Sequence, residues 1–218
     1  DGLSNHLLPG LSPKGVPIDL RGSVYGFRYN DFDELLNIVE NNEIGVIMME
    51  EMRDQGPKNG FLEKVRKLAT ERGIVLIFDE CTSGFRQSFG GIHKIFNVNP
   101  DIAVFGKAIG NGYALTAILG TREVMEYAQS TFISSTFWTE RIGPTAALKT
   151  LEIMENLKSW EVVTAKGRKI KDRWKKIATD CSLDIKISGI PAICNFSIGQ
   201  ENALKYKTFI TQEMLKKG

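Results

Sequence analysis

The sequence predicts an α/β fold, a mostly parallel sheet flanked by helices, followed by the start of a smaller α+β unit. Three observations lead to it. Short continuous apolar runs, Ile44–Met49, Ile74–Phe78 and Ile102–Phe105, read as strands buried on both faces. Amphipathic stretches at helical spacing alternate with them, the arrangement of a parallel sheet covered by its crossover helices. After Thr139 the alternation stops and helical patterns come in succession.

Taken in order, Asp1 to Asn30 reads as loop, because Pro9, Pro13 and Pro17 interrupt any periodicity. A helix is expected from Asp31, where Phe32, Leu35, Leu36 and Val39 recur at three and four residues. Gly60–Arg72 repeats that spacing with Phe61, Val65, Leu68 and Ala69, and Gly73 supplies its stop. Phe61 and Leu62 are assigned to the core. Ala114–Leu119 reads as a further strand. Helices are expected near 140–157 and 160–180, then strands at Asp184–Ser188 and Ala192–Ile198, then a last helix. The boundary between the two units is placed near residue 150, giving 1–150 and 151–218.

Composition narrows the function classes. A net charge of +2 offers no electrostatic footprint for nucleic acid or an anionic membrane. The one dense basic run, Lys166–Lys176, has helical spacing around Ile170 and Trp174 and reads as a solvated helix face. Cys81, Cys181 and Cys194 form no CxxC pair and point to a reducing compartment, so a cytoplasmic location is expected. No apolar stretch approaches the roughly 20 residues of a membrane span, and no basic-then-apolar leader opens the chain. From the absence of a starting Met and the helical pattern still running at the end, a fragment of a longer protein is expected. His6 and His93 show no metal-ligand spacing and read as structural or exposed, so no metal is expected.

In parallel sheets, ligands bind at the carboxyl ends of the strands, so the polar residues that follow the apolar runs are the candidates. Asp79 follows IVLIF directly; a helix cap or surface turn explains a lone Asp equally well. Lys107 lies between an apolar strand and a loop containing Gly106, Gly110 and Gly112. A lysine buried there would have a depressed pKa and a nucleophilic amine, suited to a Schiff base; a surface lysine in a glycine turn is the bland alternative. Ser134–Pro144 clusters hydroxyls before a helix, which suits an anion or a simple cap. Together a Schiff-base lysine, a carboxylate for a pyridinium nitrogen and an anion site are what pyridoxal 5'-phosphate (PLP) chemistry requires. A rival reading takes IVLIFDE as a Walker B strand holding magnesium in a nucleotide hydrolase, which needs a GxxxxGK[ST] loop that residues 1–78 do not contain. A second rival is a non-catalytic paralogue serving as an interaction module.

The series Asp79-Glu80, Ser83-Gly84-Phe85-Arg86, Pro100-Asp101 and Gly106-Lys107 resembles the class III aminotransferases of PLP fold type I, and among them the glutamate-1-semialdehyde 2,1-aminomutase group. The resemblance runs from about Phe32 to Glu155 and more weakly beyond. It implies that residues 1–150 are the later part of a PLP-binding large domain and that 151–218 begin the small C-terminal domain. It implies amino-group transfer, by a mutase or a transaminase, acting on a small amine or keto substrate in a homodimer with shared sites. Lys107 would hold the cofactor and carry the substrate proton. Asp79 would pair with the pyridine nitrogen, and Cys81 would pack on the ring face where the family usually has Val. Ser135 and Thr136 match a Gly-Thr pair that reaches the cofactor phosphate of the neighbouring subunit.

The chain also departs from the family pattern. The upstream small-residue loop that holds the phosphate is not in it. Trp138-Thr139-Glu140-Arg141 replaces the usual Ser-Gly-Asn-Pro, and Glu50-Glu51 stands where Glu-Pro is usual. These changes concern the substrate. Glu50 and Arg141 are its candidate contacts, Arg141 through a substrate carboxylate or else in a salt bridge with Glu140.

Overall fold

The computed structural model describes residues 17–20, 22–199 and 201–218; His6, Pro9 and Pro13 lie outside them. Strands β1 (Val46–Met49), β2 (Val75–Asp79), β3 (Ile102–Phe105) and β4 (Ala117–Gly120) form one sheet in that order. β1, β2 and β3 are parallel, and β4 is antiparallel to β3. The connection from β3 to β4 contains only the 3-10 turn Lys107–Ile109. A parallel return needs a crossover of about a dozen residues or more, usually helical, so the chain doubles back.

Helices α1 (Phe32–Asn41) and α2 (Phe61–Arg72) precede β1 and β2, and the short α3 (His93–Phe96) precedes β3. Asp31 caps α1 by accepting the Glu34 N–H at 3.0 Å. Gly73 ends α2 at φ +65°, a left-handed conformation that glycine adopts without steric cost. Leu35 and Val39 of α1 and Leu62, Val65 and Ala69 of α2 pack with Ile47, Met49, Leu76 and Phe78 of the sheet.

Among the described residues the sheet is covered on one face only. Alternate residues point to opposite faces, and the face bearing Val46, Met48, Ile77, Val104 and Ile118 is open, with Met48 55% and Ile118 57% exposed. The strand order β1-β2-β3 advances in one direction, and right-handed crossovers place both connections of this segment on the same side.

Asp101, from the Pro-Asp pair before β3, pins this sheet. Its Oδ2 accepts the Leu76 N–H at 2.7 Å and Arg66 Nη1 of α2 at 2.8 Å. Its own N–H donates to the Leu76 carbonyl, and its carbonyl accepts from Thr121. Asp101→Ala leaves a strand N–H and a half-buried guanidinium without that acceptor. It is expected to destabilise the fold by about 1–3 kcal/mol, read as a lower denaturation midpoint at unchanged m-value.

Beyond the sheet, α4 (Arg122–Met125) leads to α5 (Ile142–Leu157) and α6 (Ser159–Asp180). Ala147 and Leu151 of α5 pack on Ala103 and Phe105. The boundary placed near residue 150 falls inside α5, which continues unbroken to Leu157. The antiparallel pair β5 (Ile185–Ser188) and β6 (Asn195–Ile198) and helix α7 (Ala203–Leu215) follow. The basic run lies on α6 as expected, but Ile170 is 43% exposed; the inward stripe is Thr164, Gly167 and Ala178. A Cβ at Gly167 would fall 1.8 Å from the Pro191 carbonyl oxygen, so the helix seats there only through glycine. Trp174 meets Phe196 edge-on at 5.0 Å.

Candidate active site

Asp79 is the last residue of β2, and Lys107 lies two residues past the end of β3, its parallel neighbour. Both therefore stand at the carboxyl edge of the sheet. By alternation Asp79 shares the open face with Ile77 and Val104. It is half-buried, and its Oδ1 accepts the Cys81 N–H at 3.0 Å.

Lys107 is exposed, so the burial expected of it is corrected. The apolar strand ends at Phe105, and Gly106 carries the chain out over Cys81 in extended conformation. Lys107 has φ +47°, left-handed, where a side chain costs about 1–2 kcal/mol. Its Nζ donates to Thr82 Oγ1 at 3.1 Å. Thr82 was not singled out by the sequence, since nothing in its type or spacing marks it.

Cys81 sits among these groups. Burial pushes its thiol up to about 11, helped by its hydrogen bond to Asp79 and the charges of Asp79 and Glu50, while the Lys107 charge opposes the shift. Four nominated residues, Glu50, Asp79, Cys81 and Lys107, thus share one neighbourhood. A Cβ at Gly106 would lie 3.3 Å from Cys81 Sγ, so a larger residue would crowd it. Near pH 8 the Cys81 thiol stays neutral, and iodoacetamide should label it much more slowly than the exposed Cys181. Peptide-resolved mass spectrometry reads this directly; equal labelling rates would contradict it.

Glu50 forms an ion pair with Arg53 at 3.2 Å, and its Oε2 is buried without a hydrogen-bond partner. Ser135 and Thr136 lie on an exposed segment; Ser135 Oγ accepts the Phe137 N–H at 3.1 Å, and no hydrogen bond links either residue to Asp79, Cys81 or Lys107. Glu140 does not pair with Arg141. Its carboxylate caps α5 instead, accepting the N–H groups of Ile142 and of Gly143, the latter at 3.0 Å. Arg141 is exposed and has no ion-pair partner among the described residues.

Glu80 faces the other way from Asp79. It is 1% exposed, and its Oε2 accepts Ser83 Oγ at 2.6 Å. His93 lies with Nδ1 2.8 Å from Glu80 Oε1, which also accepts the His93 N–H at 3.1 Å. Burial raises this carboxyl, but the hydrogen bonds from His93, Ser83 and the Ile92 backbone outweigh burial and hold it below its ordinary value. Adjacent carboxylates on opposite faces give no support to the paired Asp-Glu of a magnesium-dependent nucleotide hydrolase. The same loop explains the Ser-Gly-Phe-Arg series. A Cβ at Gly84 would fall 2.7 Å from the Glu80 carbonyl oxygen and 2.8 Å from the Phe105 ring. Arg86 Nε donates to the Thr82 carbonyl at 2.8 Å, closing the turn. Glu51, next to the end of β1, is buried, and burial together with the Glu80 charge pushes it up to about 10.

The residues present suit PLP. A primary amine held by a hydroxyl and a carboxylate on the same open sheet edge are the two protein groups its reactive carbon and ring nitrogen need.

Comparison with known proteins agrees. The family model described as aminotransferase class-III matches residues 28–218. The 3-aminobutyryl-CoA aminotransferase of Cloacimonas acidaminovorans is 40% identical over 207 residues, covering 91% of this chain and 50% of that protein. A glutamate-1-semialdehyde 2,1-aminomutase from Citrifermentans bemidjiense is 33% identical over 180 residues, covering 78% of this chain and 42% of that one. The chain thus spans about half the length of the curated relatives it matches. Among solved structures, the PLP internal aldimine form of FumI from Sphingopyxis sp. MTA144 superposes with a TM-score of 0.80 at 23% identity, covering 85% of this chain and 47% of that one. An omega-transaminase from Sphaerobacter thermophilus gives 0.78 at 22%, covering 89% and 47%. These likenesses establish the fold as that of the PLP-dependent transaminases, fold type I. With its sheet, its strand-end lysine and aspartate and a family match over residues 28–218, the chain belongs to the class-III aminotransferases.

Proposed function

We propose that the protein of which this chain is part transfers amino groups with PLP, and that Lys107 and Asp79 are the residues of this chain that make the cofactor work. The observation that carries the reading is their placement at the carboxyl ends of β3 and β2, with Cys81 between. When bound, PLP supplies a carbonyl that captures amines and a ring that takes up an electron pair from the substrate carbon. Asp79 would pair with the ring nitrogen and hold its proton. The Lys107 amine would hold the cofactor, and would move the proton between the amine-bearing carbon of the substrate and the cofactor carbon that the amine joins, with Thr82 Oγ1 as its resting partner.

The substrate is an amine or keto compound of a transaminase or of a mutase of the glutamate-1-semialdehyde kind. The 40% relative favours the transaminase side, with a β-amino acyl thioester as amine donor. Glu50 and Arg141 are the candidate substrate contacts. Ser135 and Thr136 are assigned to the cofactor phosphate of a second subunit by the family resemblance; their segment's exposure, with Phe132 96% exposed, leaves it free for such a contact. A homodimer and a cytoplasmic location are part of this proposal, the latter supported by three cysteines that are all unpaired; residues 1–150 and 151–218 would belong to its large and small domains.

The test uses the full-length protein with PLP. A visible absorption band that borohydride removes while fixing PLP on the Lys107 peptide supports the reading. Turnover of 3-aminobutyryl-CoA with a keto acid acceptor against isomerisation of glutamate-1-semialdehyde then separates the two substrates. A folded protein that gains no band, or one whose label falls on another lysine, would refute it.

A further inference from the structure

On the covered face of the sheet, three side chains converge that amino transfer does not use. Glu51 follows β1 by two residues, Glu80 follows β2 directly, and His93 opens α3. An oxygen of each carboxyl and a ring nitrogen of His93 all lie within 4.8 Å of one another. Glu80 is oriented by Ser83 Oγ at 2.6 Å and by the His93 N–H at 3.1 Å. Glu51 is different. It is 0% exposed, it points into the cluster, and neither of its carboxyl oxygens accepts an N–H or hydroxyl hydrogen bond; the group it faces there is the Glu80 carboxyl. The Tyr29 hydroxyl beside it donates to its backbone carbonyl instead. Buried carboxyls are ordinarily satisfied, since an unpaired one loses its hydration without return. The packing is also tight, because a Cβ at Gly91 would come within 2.3 Å of the His93 ring and 2.5 Å of Glu80 Oε1.

We propose that Glu51, Glu80 and His93 bind a divalent cation of the zinc class, which clamps the ends of β1 and β2 to α3. Two carboxylates balance its charge, and the imidazole selects against magnesium and calcium, which favour all-oxygen shells. Burial of both carboxyls also suits an ion that needs few ligands and keeps little water. The hydrogen bonds from Ser83 and the His93 backbone fix the Glu80 carboxyl as a ligand's outer partners do. The clamp has a consequence for the open face. Glu80 is joined directly to Asp79, so an ion holding the one steadies the strand end that presents the other.

The proposal is tested on the full-length protein, stripped with a chelator, desalted and then titrated with zinc chloride. Metal content after gel filtration and the melting temperature are both read, so the outcome does not depend on PLP or on activity. The expected result is one zinc per chain and a raised melting temperature, with Glu51→Gln and His93→Gln each weakening uptake by more than about tenfold. A folded wild type that retains no zinc and whose melting temperature is unmoved overturns the site and leaves Glu51 a neutral buried carboxyl. Wild-type uptake by a folded Glu51→Gln variant overturns it too, because the zinc then sits elsewhere. Should both variants fail to fold, zinc-edge absorption on the wild type decides: a shell of oxygen with one imidazole supports the site, and sulfur ligation overturns it.

Discussion

Lys107→Ala is expected to lower amino-transfer turnover of the full-length protein by about 10³-fold or more while its melting temperature stays within about 2 °C of wild type. The split follows from the geometry. Lys107 is exposed and its Nζ makes one hydrogen bond, to Thr82 Oγ1, so truncation removes little from the fold. What it removes is the amine proposed to hold the cofactor and move the proton. Lys107→Gly sharpens the comparison. At φ +47° a side chain carries a left-handed penalty of about 1–2 kcal/mol that glycine escapes, offset in part by glycine's greater freedom when unfolded. The glycine variant should therefore be as inactive as the alanine variant and at least as stable. A long side chain kept in a disfavoured backbone conformation is a feature of functional sites. Retained turnover in Lys107→Ala would remove Lys107 from the mechanism.

Much of this arrangement is legible in the chain itself, for reasons that also explain what is not. The apolar runs ending at Met49, Phe78 and Phe105 locate β1, β2 and β3, because a strand in a packed sheet must be apolar on at least one face and these are apolar on both. Crossover handedness puts the two connections of this segment on one face, so the apolar Val46 and Met48 on the other face have no cover among the described residues. The reversal of β4 follows from the short connection at Gly106–Thr116, a length that was visible but read only as a glycine-rich loop. At the site, Asp79 and Lys107 were legible because polar residues that end apolar runs are conspicuous. Glu80 was legible as part of a motif but not in its role, which comes from strand alternation turning it toward Ser83 and His93. Glu51 and His93 were opaque, since they are far apart in sequence and meet only through parallel pairing of β1 with β2 and the return of the loop before α3. Arg141 shows the converse, where neighbouring opposite charges suggested a pair and the helix end at Ile142 claimed Glu140 instead.

Asp79→Asn is the second large effect, and it separates charge from shape. Asparagine keeps an oxygen at Oδ1, so the bond from the Cys81 N–H, 3.0 Å in the wild type, can persist and the strand end should hold its form. The negative charge proposed to keep a proton on the ring nitrogen is lost. Turnover at saturating PLP should fall by about 10²–10³-fold, the scale of removing one aimed electrostatic partner. PLP affinity should fall by about tenfold or more, as for a charge-assisted hydrogen bond. Asp79→Ala should match that loss of turnover and add a cost of about 1–3 kcal/mol in stability, because the Cys81 N–H then lacks its acceptor. The Cys81 thiol reports the same charge independently of catalysis. Asp79 helps to push it up, so the asparagine variant should be alkylated faster at a given pH than wild type, with Cys181 as the internal standard. If Asp79→Asn loses turnover without faster Cys81 labelling, the carboxylate does not set the field at the sheet edge, and its effect on the reaction must come from the position of its hydrogen bonds alone.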